Sequence, residues 1–361
     1  MAEYQIFSDG ACDIGFAKAK ELGIGLIPFY ISIDHETYYK EIQEISLEEY
    51  FRYMTEEKGY PKTSLPSIQD YIDAFRPALE AGKDIICITM TRTLTASLES
   101  AVTAKSMLEE EFPHAQIHVI NSWVATGAQT LLLMEMARMQ KDGKSLNEVI
   151  TYAEKAREDA RIHFMVGDLS YLEIGGRIGK VATISAGLLK IKPIIILKGG
   201  EISAGGICRA RKKGLAQIAS ITAKHFKETG ENPAHYIAMP GTNTIWDDMD
   251  SFYTMMQETV PGMEFLPPFQ IGATISTHTG PGTTGFCFVK KYEYYNISAK
   301  KLTSHRKTGC LFSFVYLKSA REMPISRKIP FRYSIFSFVG VPNAASGKSI
   351  PSASYFPKPN L

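Results

Sequence analysis

The chain has 361 residues, 45% of them hydrophobic and 22% charged, a globular composition with length enough for two domains. No uncharged apolar run approaches the roughly 18 residues of a membrane span, and the opening MAEYQIFSDG has no basic segment followed by an apolar one. A cytoplasmic protein is therefore expected. The net charge of +2 hides a division, because residues 291–361 carry 12 Lys+Arg against two Asp+Glu, net +10, and the rest of the chain is left at −8. Five cysteines lie far apart with no C-x-x-C pair, which fits reduced, buried thiols and excludes a disulfide framework or a cysteine-built zinc site.

The first segment, 4–8, reads as a strand. A helix over 14–22 follows, closed by Gly23 before an apolar strand over 24–29, so the chain opens β-α-β. Ser46-Leu-Glu-Glu49 and Ser67-Ile-Gln-Asp70 have capping-box spacing and open helices to about residues 57 and 82. Strands over 84–90 and 116–121 alternate with helices over 97–111 and 126–140, and Ser145-Leu-Asn-Glu148 caps one more helix ending near Arg161. Strands alternating with helices of this length imply a parallel sheet covered on both faces. Beyond residue 160 the grammar changes: strands over 163–169, 192–197, 236–239, 271–277 and 286–290, with helices over 183–190, 211–229 and 244–259, predict a second, mixed α/β domain. Residues 291–361 lack a periodic apolar face and read as a basic tail, either disordered or an extension that is not a native domain.

In an open parallel sheet, ligands bind beyond the C-terminal ends of the strands. The loops there are Ser8-Asp-Gly-Ala-Cys-Asp13, Lys62-Thr-Ser-Leu-Pro-Ser67, Thr89 to Ser97, and Asn121-Ser122, all crowded with hydroxyls. Singly, such residues cap helices; together with backbone N–H groups they make a neutral site for one carboxylate or phosphate. Asp9 and Asp13 are read as helix caps or, alternatively, as metal ligands. No serine-hydrolase elbow, H-E-x-x-H or P-loop is present. Gly280, Gly282 and Gly285 match G-x-G-x-x-G, but Pro281 sits in the turn and a β-rich run, Phe286-Cys-Phe-Val289, follows where a dinucleotide site needs a helix. His278 adjoins these glycines and is placed to donate to an anionic head group.

The ordered series Ser8-Asp-Gly-Ala-Cys-Asp13, Thr63-Ser-Leu-Pro-Ser67, Leu94-Thr-Ala-Ser97, Tyr171-Leu-Glu-Ile-Gly-Gly-Arg-Ile-Gly-Lys180, Ile191-Lys-Pro193 and Thr277-His-Thr-Gly-Pro-Gly282 resembles the DegV family of bacterial fatty-acid-binding proteins over about residues 4–290. The resemblance implies an N-terminal parallel-sheet α/β domain over 1–160 and a mixed α/β lipid-binding domain over 161–290, with a long-chain fatty acid between them and no cofactor. It implies a carrier without catalytic activity of its own, which presents the carboxylate to a partner fatty acid kinase for acyl-phosphate formation. By motif, Thr63, Ser64, Thr95 and His278 match the carboxylate-binding residues, and Arg209 and Arg211 match a basic segment that meets the kinase. The apolar run Ala186 to Leu197 is a candidate tunnel lining. Thr95 and Ala96 stand where the family has Ser and Gly, and Gly10-Ala11 replace its hydroxyl pair. The residues taken alone leave a second reading open, an enzyme acting on a small phosphorylated or carboxylated metabolite at the same loops.

Overall fold

Side-chain alternation along the strands assigns the layers of the molecule. The computed structural model describes residues 3–297, apart from 42, 168 and 185–190, and for 183 and 184 the backbone only. Strand Tyr4–Asp9 pairs in parallel with Ile24–Ile27 on one side and Asp84–Thr89 on the other, and Ile117–Asn121 extends the sheet. Every residue of Asp84–Thr89 is buried, as in a central parallel strand covered on both faces. Ile85 and Cys87 pack with Tyr71, Phe75, Ala104 and Leu108 of helices Ile68–Glu80 and Ser97–Glu111. Ile86 and Ile88 face the other way, into a core shared with helices Thr126–Lys141 and Leu146–Asp159.

The second sheet has seven strands. Its main order is Glu201–Cys208, Lys192–Lys198, Arg161–Met165, Thr284–Lys290, Tyr236–Thr242 and Glu264–Phe265, antiparallel except for the last pair. Phe269–Gln270 also pairs in parallel with Tyr236–Thr242. Period two again divides its faces: Met165, Ile194, Phe286 and Phe288 pack under helices Arg211–Thr229 and Met249–Thr259, while Ile162, Leu197, Met239 and Cys287 join the core that holds Thr126–Lys141. That helix lies between two sheets, so twelve of its residues are buried and its Leu-Leu-Leu-Met run needs no polar face. The fold is thus α/β, a parallel sheet and a mixed sheet with a helical layer between them. A small antiparallel sheet, Tyr39–Lys40, Tyr30–Ser32 and Lys62–Ser64, packs with helices Leu47–Thr55 and Ala273–Thr279.

Five expectations change. The segment expected as a strand over 271–277 contains the helix Ala273–Thr279, because Ala273 packs into the core of the small sheet and the first N–H groups find carboxylate acceptors. Lys62–Ser64, expected as loop, is an edge strand. Glu201–Cys208 is a strand that its Ala-Gly-Gly sequence hid, with a register shift between Ala204 and Gly206. Of the helix expected over 183–190 only its start is described, as the end of a 3₁₀ stretch, Gly179–Ile184. The tail expected from residue 291 begins inside the folded body. Tyr292 and Tyr295 pack edge-on against Tyr152, Tyr292 Oη donates to Asp142, Tyr295 Oη donates to Asp159, and Arg138 pairs with Glu293. Residues 298–361 lie outside the described residues.

Candidate functional site

A cavity of about 220 Å³ lies between the two sheets, at the C-terminal edge of the parallel one. The edge itself is fixed by Asp9. Its buried carboxylate accepts from Met90 N–H at 2.8 Å, Ser97 Oγ at 2.7 Å and Gln129 Nε2 at 2.9 Å, tying the first strand, the loop after the third and the central helix together. Burial pushes its pKa up to about 6, against the pull of those donors. Asp9 stands at the N-cap of the short 3₁₀ stretch Gly10–Cys12, and its carboxylate also accepts from Ala11 N–H; among the described residues no three His, Cys, Asp or Glu side chains converge on one point.

Asp13 and Glu41 anchor the helix that carries His278. Asp13 accepts from Gly272 N–H and Thr126 Oγ1; Glu41 accepts from Thr274 N–H at 2.8 Å and from the Thr274 hydroxyl. Burial raises the pKa of both carboxyls, and Glu41 adds to the rise at Asp13. At the other end of the helix, Tyr50 Oη and Thr277 Oγ1 are 2.9 Å apart, and Gly280 ends the helix at φ +72°, with its Cα facing the Tyr171 ring. The G-x-G-x-x-G run is therefore a turn from helix to strand, and Gly282 N–H donates to Thr244 Oγ1 at 2.8 Å.

His278 Nε2 lies 2.9 Å from Thr63 Oγ1, joining residues 215 apart in sequence. Its Nδ1 is buried without a hydrogen-bond partner, against Gly175, where a Cβ would approach it to 2.3 Å. Burial, helped by the Arg177 cation, lowers its pKa to about 4, so the imidazole is neutral near pH 7. Ser64 and Thr95 line the same cavity, and among the described residues their hydroxyls make no side-chain hydrogen bond within the protein. All four residues expected around a carboxylate are thus brought together.

Arg177 is the residue that sequence reasoning quoted in a motif but gave no role. Its guanidinium donates to the Leu94 carbonyl at 3.1 Å and the Gly175 carbonyl at 2.5 Å, and it lines the cavity. Among the described residues no carboxylate acts on it, and burial lowers its pKa. A half-buried cation without a counter-charge sits beside three hydroxyls and a neutral imidazole, an arrangement suited to one anion.

The remaining polar lining is already engaged. The hydroxyls of Thr126, Thr274, Thr279 and Thr283 donate to Asp13, Glu41, the Ile275 carbonyl and the Thr279 carbonyl respectively. Around them the cavity is walled by Phe29, Met90, Phe164, Leu197, Ile202 and Phe269. Of the apolar run expected to line a tunnel, residues 191–197 are described, and among them Leu197 lines the cavity. Of the two basic residues expected to meet a partner, Arg209 is exposed. Arg211 is not a free surface charge: it grips Asp248 at 2.7 and 2.8 Å and also donates to the Ile245 and Gly282 carbonyls and Thr284 Oγ1.

No helix among the described residues is long and apolar enough to cross a membrane. The chain is similar in structure to a fatty acid (stearic acid)-binding protein from Eubacterium ventriosum, with 36% identity and a TM-score of 0.76 over 81% of this chain and all of the other. A DegV family protein from Thermus thermophilus, described for its fatty acid binding, is 27% identical with a TM-score of 0.71, covering 80% of this chain and 99% of its own. A DegV domain-containing protein of Clostridium perfringens is 28% identical over 290 residues, 80% of this chain and 98% of the relative. The family described as uncharacterised protein, DegV family, matches residues 3–291, and the chain belongs to it.

Proposed function

We propose that the protein binds a long-chain fatty acid, with the carboxylate among Thr63, Ser64, Thr95, His278 and Arg177 and the acyl chain in the cavity between the sheets. The observation that carries this reading is the division of the lining: among the described residues, hydroxyl donors and a cation with no carboxylate partner cluster around His278, and the rest of the wall is apolar or already hydrogen-bonded. Burying an acyl chain contributes about 0.8 kcal/mol per CH₂, so some 15 methylenes supply on the order of 10 kcal/mol before ordering costs. The chain holds the ligand; the polar cluster orients it.

Hydroxyls and a neutral imidazole hold a carboxylate by hydrogen bonds, and Arg177, whose Nε and Nη1 already donate to the Leu94 and Gly175 carbonyls, adds charge without a fork-on-fork bidentate grip. Such a head group keeps an oxygen lone pair available for phosphoryl transfer. The protein accordingly acts in the cytoplasm as a carrier that offers its bound acid to a fatty acid kinase, and Arg209 is the exposed charge placed for that encounter. Mass spectrometry of a solvent extract of the purified protein tests the binding step. Long-chain acids in the extract, and their uptake after delipidation, are expected; a delipidated protein that takes up none of them sinks the proposal. Transfer from ATP to the bound acid in the presence of a fatty acid kinase, and none without it, tests the presentation step.

A further inference from the structure

We propose that Phe269 sets the far end of the acyl cavity and, through it, the length of chain the protein accepts; the inference rests on the fatty-acid reading above. The cavity floor is built across the mixed sheet rather than along a strand. Strand register places Ile202, Leu197, Ile162 and Cys287 side by side in one row. The neighbouring row runs Phe164, Gly285, Gly241 and Phe269. Strands lie about 4.8 Å apart, so a row crossing four of them spans on the order of 15 Å, the scale of an extended acyl chain rather than of a small metabolite.

The two rows end differently. In the first, every position carries a side chain. In the second, Gly285 and Gly241 leave the floor bare between Phe164 at one end and the half-buried Phe269 ring at the other. The fit is close from both sides. A Cβ at Gly241 would stand 2.2 Å from Phe269 Cε1, and one at Gly127, on the central helix above, would stand 2.5 Å from the same atom. The ring is therefore slotted between two bare Cα atoms, one from the floor and one from the roof. Among the described residues this ring fills the space between those glycines, with Cys287 Sγ beside it, 3.0 Å from a Cβ placed at Gly127.

The direction from the head group follows from the helix Ala273–Thr279. His278 is near its C-terminal end, Thr274 and Ile275 line the cavity one turn earlier, and Ile271 lines it just before the helix begins. Phe269 is two residues further on, so it lies beyond the helix on the side away from His278. An acyl chain that starts at His278 and follows this wall meets the ring last.

The test is a chain-length profile. The dissociation constants of saturated acids from tetradecanoic to icosanoic are measured on the delipidated full-length protein, its Phe269→Ala and Phe269→Leu variants, and Gly241→Ala. Removing the ring is expected to shift the preference toward longer acids, by about fourfold in relative affinity for each additional methylene that becomes buried. Phe269→Leu shifts it in the same direction by less, and serves where the alanine variant fails to fold. Gly241→Ala, which pushes the ring into the cavity, shifts the preference toward shorter acids. A wild type that binds while both Phe269 variants keep its profile overturns this inference alone, as does a shift produced by Ile202→Ala in their place. Failure of every form, wild type included, to bind any acid removes the fatty-acid reading and the inference with it.

Discussion

Thr63→Val separates the orienting role of the polar cluster from the holding role of the cavity. Valine matches threonine in shape and suits the strand Lys62–Ser64, so the substitution removes a hydroxyl and little else. Two effects follow. In the free protein, the buried imidazole of His278 loses the 2.9 Å partner of Nε2 while its Nδ1 already has none. An unsatisfied buried polar group costs about 1 to 3 kcal/mol, and the denaturation midpoint should fall accordingly. In the complex, a hydrogen bond to a charged group, about 1.5 to 3 kcal/mol, is also lost, so Kd should rise by roughly ten- to a hundredfold. The two are read separately, by urea denaturation of the delipidated protein and by titration with one long-chain acid. A destabilised variant of unchanged affinity would remove Thr63 from the head-group site and leave it a structural partner of His278. Unchanged stability and affinity would refute the geometry of the whole cluster.

Arg177→Gln should weaken fatty-acid binding more at low than at high ionic strength, because the lost contribution is a half-buried charge; a salt-independent loss in the same titration would argue against a counter-charge role. His278, with a folded pKa near 4 against an ordinary 6.5, binds a proton more readily when unfolded, so its contribution to stability is present above 6.5 and is lost as pH falls toward 4. His278→Gln should make that acid limb shallower in pH-dependent urea denaturation; an unchanged limb would show the imidazole free to protonate in the folded state. Arg211→Ala should lower stability by about 1 to 3 kcal/mol, by removing hydrogen bonds to half-buried Asp248, the Ile245 and Gly282 carbonyls and Thr284; an unchanged urea midpoint would show the network to be of no consequence. Arg209→Ala should leave stability and fatty-acid affinity unchanged and slow phosphorylation by a fatty acid kinase, all three measurable on the same preparation. A chain ended after Lys291 should be about 2 to 4 kcal/mol less stable than one ended after Ile297, since the shorter form lacks Tyr292 and Tyr295; equal urea midpoints would return residues 292–297 to the tail.

The elements that sequence reading located are those whose signal is local. Ser67 and Asp70 form the reciprocal capping box their spacing announced, as do Ser145 and Glu148, and the buried run Asp84–Thr89 is the central strand its continuous apolarity implied. What escaped was decided by distant partners. The helix Ala273–Thr279 is written in β-branched residues and exists because Asp13 and Glu41, more than 200 positions earlier, receive its first N–H groups. Strand Glu201–Cys208 is held by pairing to Lys192–Lys198, not by its own Ala-Gly-Gly composition. At the site, the motif resemblance pointed to Thr63, Ser64, Thr95 and His278, which do line one cavity. The roles of Arg177 and Arg211 could not be read, since each depends on whether a carboxylate stands nearby, and only the folded chain supplies or withholds it.

The contacts that join the hydroxyl strand and its neighbours to the histidine helix are long in sequence: Thr63 to His278 spans 215 residues and Glu41 to Thr274 spans 233. Contacts of this separation form late, after the loop-closure entropy of the intervening chain has been overcome. During synthesis, the hydroxyl strand emerges early and waits for its histidine until nearly the whole family-matched region has left the ribosome. A nascent chain shorter than that has no head-group site. The same geometry makes an occupant of the site a clasp between the beginning and the end of the fold. Ligand should retard global unfolding, which parts Thr63 from His278, far more than it retards the fraying of local helices such as Ile68–Glu80.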